Sequence, residues 1–369
     1  MGYEIHAGKG WVNRGNLYRM KELMRRAEKG DRMTLAFLGG SITQGSVSSQ
    51  YTNCYAYLVY DWFVRRFPKT AFTYVNAGVG GTTSQFGAAR VEEDVLAFKP
   101  DFVLIEFSVN DENTDFYRET YEGLVRNVYG NALEPAVLLV HNMFYDSGAS
   151  AEQKHREIGT YYHLPSVSMK PSIYAQIEAG AIDRRELTPD DLHPNSEGHA
   201  LLAEVITDCL DQIYMQRREA EEPFSMPEPL TVNAYEHVRR FQNHNSAPVC
   251  EGFSADGALK KYVNDMFRRG WTAKDQGAKI CFEVEGTEIA VQYRKSVKHP
   301  APVAIAVVDG DEERAVTLDA NFEETWGDSL HMDTLAYHMA PGLHKVEIRI
   351  TQTHENDAVP FYLVSVITA

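Results

Sequence analysis

No apolar run in this chain reaches membrane-spanning length. Cysteine is scarce: Cys54, Cys209, Cys250 and Cys281 are far apart and form no CxxC pair. Four such residues read as structural thiols in a reducing compartment. The opening segment Met1-Gly2-Tyr3-Glu4-Ile5-His6-Ala7 lacks a basic stretch followed by an apolar one, so it does not read as a secretory signal. His6 also stands where a myristoylation signal wants Ser or Thr. A cytoplasmic location is expected. Positive charge is in deficit, with 36 Lys and Arg against 52 Asp and Glu, a net charge of -16. That balance argues against a nucleic-acid partner and against an anionic membrane surface, and it suits an uncharged substrate. Internal repeats and low-complexity tracts are absent as well.

What the chain does have is enough apolar content, 44% over 369 residues, to bury a core and form two domains. Strand-like runs at 34–38, 73–76, 102–107 and 136–142 alternate with helical patterns at 55–67, 84–98, 117–133, 151–162 and 196–217. This alternation predicts βαβ units around a parallel sheet. The composition then changes at Glu222-Pro223-Phe224-Ser225-Met226-Pro227-Glu228-Pro229, which reads as a linker. Beyond it, β-rich stretches at 279–284, 288–293, 303–308, 315–318, 344–350 and 361–367 are separated by turn signals and predict a β-sandwich. The expected domains are residues 1–222 and 223–369.

The chemistry concentrates at four places. Gly39-Gly40-Ser41-Ile42-Thr43 follows the apolar run 35–38 and sets a hydroxyl at the carboxyl edge of a sheet, where open α/β sheets bind ligands. Serine needs an adjacent base, and His193 in Asp190-Asp191-Leu192-His193-Pro194-Asn195 can supply it. Either Asp190 or Asp191 can hold the other imidazole nitrogen, fix its tautomer and stabilise the imidazolium. Attack on an ester places charge on the former carbonyl oxygen, and donors must point at it. Gly80-Gly81 after one strand and Asn110 after the next can provide a backbone and a side-chain N–H. Each segment alone also reads as a plain turn or cap. Together, at the ends of consecutive strands, they read as a site.

These segments resemble the sequence blocks of the SGNH, or GDSL-type, hydrolases over roughly residues 34 to 200. Ser41 matches the first block's serine, Gly81 the second block's glycine and Asn110 the third block's asparagine. The family's last block carries an aspartate three positions before its histidine, which selects Asp190 for His193. The first block departs from the family pattern, with Gly-Gly-Ser-Ile in place of Gly-Asp-Ser-Leu. The resemblance implies a three-layer, flavodoxin-like α/β/α domain with about five parallel strands, ester hydrolysis and no cofactor. The order of the two domains is similar to that of the acetyl-mannan esterases of carbohydrate esterase family 17. Those carry a jelly-roll-like module similar to the family 35 carbohydrate-binding modules. Acetylated oligosaccharides, mannan-derived first and xylan-derived second, are then the expected substrates. A lipid esterase or thioesterase is the alternative enzyme, and a catalytically inactive carbohydrate-binding protein is the alternative of another class.

Three further residues are expected at the sugar. His141 and Asn142 end a strand on the active-site edge and are candidates for the pocket wall. Trp326 lies in the polar stretch Glu323-Glu324-Thr325-Trp326-Gly327-Asp328, which is poorly suited to bury a large ring, and an exposed indole is a platform for a sugar face. The sandwich is expected to cover the site, from its own chain or, in a homodimer, from a neighbouring one. Asp190, His193 and His199 could be read as metal ligands, but no HExxH or Cys-His set accompanies them, and a triad accounts for two of the three. No metal is expected.

Overall fold

Met33-Thr34-Leu35-Ala36-Phe37-Leu38-Gly39 is apolar at nearly every position, because both faces of its strand are covered. Leu35 and Phe37 join a core with Met20, Met24, Phe63, Val205 and Ile206, while Ala36 and Leu38 are equally buried on the other side. The computed structural model describes Tyr3 and residues 5–369, and it divides into two compact units, Met1–Glu236 and His237–Ala369.

The first unit runs β1 (Trp11–Asn13), α1 (Tyr18–Lys29), β2 (Met33–Gly39), α2 (Ser41–Gln44), α3 (Tyr55–Arg66), β3 (Phe72–Gly78) and α4 (Ser84–Asp94). It continues with β4 (Phe102–Glu106), α5 (Asp115–Tyr129), β5 (Ala136–His141), α6 (Glu152–Tyr161), β6 (Ser166–Ser168), α7 (Ala175–Glu178) and α8 (Ser196–Met215). The sheet order is β1-β6-β5-β4-β2-β3. All neighbouring pairs from β6 to β3 are parallel, and β1 joins β6 antiparallel. Helices α1, α3 and α8 pack together, as do α4, α5 and α6, so the sheet is the middle of three layers. Gly39 is in register with both Gly78 and Glu106, so β3, β2 and β4 end in line at one edge.

The proline-rich segment after α8 is not a free linker. It is bound to the first unit, where Arg126 donates to the Pro227 carbonyl at 2.8 Å and Tyr161 to that of Glu228 at 2.9 Å. The Glu122 carboxylate accepts the backbone N–H groups of Leu230 and Thr231 at 2.6 and 2.7 Å. Tyr235 lies so close to α5 that a β-carbon on Gly123 would come within 2.4 Å of its backbone. The first unit therefore ends at Glu236 rather than at Glu222.

The second unit is made of strands β7 (Arg239–Phe241), β8 (Val249–Glu251), β9 (Ser254–Ala255), β10 (Trp271–Ala273), β11 (Lys279–Gly286) and β12 (Ile289–Lys295). The remaining strands are β13 (Val303–Val308), β14 (Val316–Asp319), β15 (Ser329–Ala336), β16 (Gly342–Gln352) and β17 (Phe361–Thr368). One antiparallel sheet has the order β15-β12-β17-β10-β9, with β7 also on β17, and the other β14-β13-β16-β11-β8. Their inner faces share one core, in which Trp271 of the first sheet meets Phe282 of the second edge to face at 5.3 Å. Among the described residues no helix is long and apolar enough to cross a membrane.

Candidate active site

Strand β2 ends on two glycines for reasons of space. A β-carbon on Gly39 would sit 2.2 Å from Thr43 Oγ1 and 2.5 Å from the Glu106 carbonyl, and one on Gly40 would sit 2.2 Å from Asn110 Oδ1. Gly40 therefore lets the Asn110 carboxamide rest against the backbone just before Ser41. An aspartate at this position, as in the Gly-Asp-Ser-Leu pattern, would displace Asn110 from where it lies. Ser41 then opens the short helix α2, and the chain turns back at Gly45, whose N–H donates to the Ser41 carbonyl at 3.0 Å.

The histidine comes from the loop before α8. Asn195 caps α8 by accepting from Gly198 N at 3.1 Å, and its own N–H closes the loop on the Leu187 carbonyl at 2.7 Å. Within that loop Asp190 Oδ1 accepts from the backbone N–H of Leu192 and His193 at 3.1 and 2.7 Å. Its Oδ2 lies 2.7 Å from His193 Nδ1, and His193 Nε2 lies 2.9 Å from Ser41 Oγ. The relay from carboxylate to imidazole to hydroxyl is complete. Partial burial alone would raise the Asp190 carboxyl, but the hydrogen bonds from the His193 ring and backbone outweigh it and hold it below the ordinary aspartate range.

Asp191 has a different occupation. Its φ of 65° turns it away, and its carboxylate meets Arg184 and Arg185 at 2.7 and 2.5 Å. The geometry separates the two aspartates, and the His193 partner is Asp190.

The loop after β3 brings Gly80 beside the serine, where its β-carbon would lie 3.6 Å from Ser41 Cβ. Gly80 N donates to Gln44 Oε1 at 2.7 Å, which leaves the next amide, that of Gly81, as the candidate donor to a reacting oxygen. Gly81 has φ +68°, and a β-carbon there would meet nothing within 4 Å, so the backbone conformation rather than space requires glycine. Asn110 comes from the turn after β4, whose amides at Asn110 and Asp111 both bond to the Phe107 carbonyl at 3.0 Å. Ser41, Gly81 and Asn110 thus stand on the ends of three adjacent parallel strands.

His141 and Asn142 are not in the pocket wall. They are 0% and 2% exposed, and Met143 and Tyr145 in the loop that follows are buried as well. The Asn142 carbonyl accepts from Ser108 Oγ at 3.1 Å, and the His141 ring lies 6.1 Å from that of His155. Burial holds the His141 imidazole well below its ordinary pKa, with repulsion from His155 adding to it. Trp326 is in the second unit, in the turn between β14 and β15, and is 65% exposed. Its ring stands edge to face with Phe322 at 5.2 Å.

Sequence reasoning misses a buried polar layer behind the site. Glu106, at the end of β4, accepts from Ser108 N and Oγ at 3.0 and 2.9 Å, and burial pushes its carboxyl up to about 7. Asp111 meets His155 at 2.9 Å. Asp111 stands next to Asn110 and shares its turn signal, but His155 carries no local signal. His199 is not part of any metal cluster, and among the described residues no group of three or more His, Cys, Asp or Glu is placed to hold an ion. Its Nδ1 accepts from Tyr55 N and its Nε2 lies against the Ser46 carbonyl, both at 3.3 Å.

The model of the GDSL-like lipase/acylhydrolase family matches residues 37–201. An acetylxylan esterase from Geobacillus stearothermophilus is 27% identical over 198 residues, which are 46% of this chain and 90% of that one. The crystal structure of a two-domain esterase active on acetylated mannans is 57% identical with a TM-score of 0.96, covering 99% of this chain and 98% of that one. A second such structure, co-crystallized with mannopentaose, has the same identity and coverage with a TM-score of 0.95.

Proposed function

Because the chain belongs to the GDSL-like lipase/acylhydrolase family, we propose that it is a serine esterase that removes O-acetyl groups from carbohydrate, with acetylated manno-oligosaccharides as the first substrate class and xylo-oligosaccharides as the second. The observation that carries the reading is the relay Asp190–His193–Ser41 at 2.7 and 2.9 Å. The mannan-active and xylan-active relatives support the choice of sugar.

In this reading Ser41 Oγ attacks the acetyl carbonyl carbon while His193 Nε2 takes the hydroxyl proton. The carbonyl oxygen becomes an oxyanion and is met by the backbone N–H groups of Ser41 and Gly81 and by the Asn110 carboxamide. As the tetrahedral species collapses, the bond to the sugar oxygen breaks, and His193 returns the proton to it. A water deprotonated by the same imidazole then attacks the acetyl-serine, acetate leaves, and the proton returns to Ser41. Asp190 keeps Nδ1 protonated throughout, so that Nε2 faces the serine as the base.

Trp326 is the second unit's candidate sugar platform. Its substitution by alanine should weaken turnover of acetylated oligosaccharide much more than turnover of a small acetyl ester, since only the sugar uses a remote contact. Equal losses on both would make Trp326 ordinary sandwich structure. The function itself is tested by measuring acetate release from acetylated manno- and xylo-oligosaccharides beside the hydrolysis of long-chain esters. Preference for the sugars supports the proposal. Preference for long-chain esters would make the protein a lipid esterase, and no hydrolysis of any ester would leave it a binding protein.

A further inference from the structure

The two loops that carry the oxyanion donors are joined from behind by a carboxylate that takes no part in the relay. Asp111 directly follows Asn110. Its Oδ1 accepts the backbone N–H of Ser84 at 2.8 Å, and Ser84 opens α4 three positions after Gly81. Its Oδ2 meets His155 Nε2 on α6 at 2.9 Å. Both side chains of this pair are 0% exposed. The His155 ring lies flat on Tyr121 of α5, with centroids 3.7 Å apart and planes 4° from parallel. The start of α6 is attached to the same turn through Ala151 N, which donates to the Ser108 carbonyl at 2.7 Å. Ser84 Oγ, for its part, is 2.6 Å from Thr120 Oγ1 on α5.

Burying an aspartate and a histidine away from water gains little stability over an apolar pair of the same volume. What it supplies is direction, since a carboxylate with two fixed donors fixes the elements that bear them. Here one donor belongs to the Gly81 loop, and the carboxylate itself belongs to the Asn110 turn. Resting on the esterase reading above, the geometry points to Asp111 and His155 as positioning residues that set the spacing between the Gly81 amide and the Asn110 carboxamide around the developing oxyanion. They touch neither the substrate nor the relay, and they act through Asn110 and Gly81.

The test is a double-mutant cycle on the full chain, with Asp111→Ala and Asn110→Ala made singly and together, and with kcat and KM measured on 4-nitrophenyl acetate. A misplacement of about 1 Å costs up to about 100-fold in turnover. Asp111→Ala should therefore lower kcat within that range and leave KM nearly unchanged. In the Asn110→Ala background the same change should cost far less, because the donor it positions is gone. Asp111→Asn, which can still accept from Ser84 and donate to His155, should recover much of the loss. His155→Gln keeps a donor and approximate volume; should Asp111→Ala not fold, it replaces that variant in the cycle, with a loss of about tenfold expected. Losses that multiply in the double variant, or a folded Asp111→Ala protein with normal kcat, would overturn the inference while leaving the esterase intact. A wild-type protein that hydrolyses no ester would overturn both.

Discussion

Among its described residues the first unit contains two aspartate–histidine pairs of nearly equal length, 2.7 Å at Asp190–His193 and 2.9 Å at Asp111–His155. Their surroundings are opposite. His193 and Asp190 have side chains 23% and 46% exposed, on a loop closed by a helix cap, and the free imidazole nitrogen faces Ser41. Asp111 and His155 have no exposed side-chain surface, and the spare carboxylate oxygen holds a backbone amide. The pair is thus the same chemical unit used in two ways. In the proposed chemistry the pair whose second nitrogen meets a nucleophile moves a proton, and the enclosed pair holds loops in place.

The largest difference between the pairs should come from removing the nucleophile that only the exposed pair addresses. Ser41→Ala is expected to lower turnover by about 10^6-fold, as for loss of a serine nucleophile that acts as a unit with its base, and to leave the fold intact. Steady-state acetate release measures it, and near-normal turnover would end the serine mechanism. Next comes the carboxylate. Asp190→Asn should cost about 10^4-fold, because the imidazole loses its tautomer control. Asp191→Asn should stay near wild type, since that carboxylate is held by Arg184 and Arg185. Equal losses at the two positions would mean that the relay does not depend on the Asp190 contact. Smaller again is the side-chain donor. Asn110→Ala should cost about 100- to 1,000-fold in kcat, and a loss below about threefold would remove Asn110 from the oxyanion site.

The smallest effect belongs to a third histidine, which has no aspartate. Burial lowers His199 to about 4, from an ordinary value near 6.5. The unfolded chain therefore binds more protons than the folded one between those values, and stability is full above pH 6.5 and falls as the pH drops toward 4. The contribution is at most about 3 kcal/mol. Protonation of Nδ1 would also break its bond from Tyr55 N, which holds the chain beyond Ser41. Thermal unfolding of wild type and His199→Gln across this window should show a shallower pH slope in the variant. Identical slopes would assign the acid sensitivity to another group.

The meeting of Ser41, His193 and Asp190, and the placement of Gly81 and Asn110 just past neighbouring strands, were legible in the sequence because ester chemistry restricts residue types at the ends of consecutive strands, and those ends carry glycine, asparagine and serine that no buried strand would choose. The parallel sheet was legible for the same reason that β2 and β4 are apolar throughout. Strands β1 and β6 are three residues each and too short to show alternation. Helix α1 did carry a signal, in Met20, Leu23, Met24 and Ala27 at helical spacing, all of them buried. The segment through Pro227 and Glu228 misleads because proline excludes regular structure but not docking of carbonyls against Arg126 and Tyr161. His155 could not be read at all, since its meaning depends on a partner 44 residues away in the chain.

Passage of the acetyl group through Ser41 can be observed on the residue itself. Reaction with 4-nitrophenyl acetate, stopped by rapid acid quench within the first turnover and analysed by peptide mass spectrometry, should show acetyl on the peptide containing Ser41. That signal is expected in the wild-type protein, and its loss in Ser41→Ala. Normal turnover with no acetyl on Ser41, or with acetyl on another residue, would contradict it.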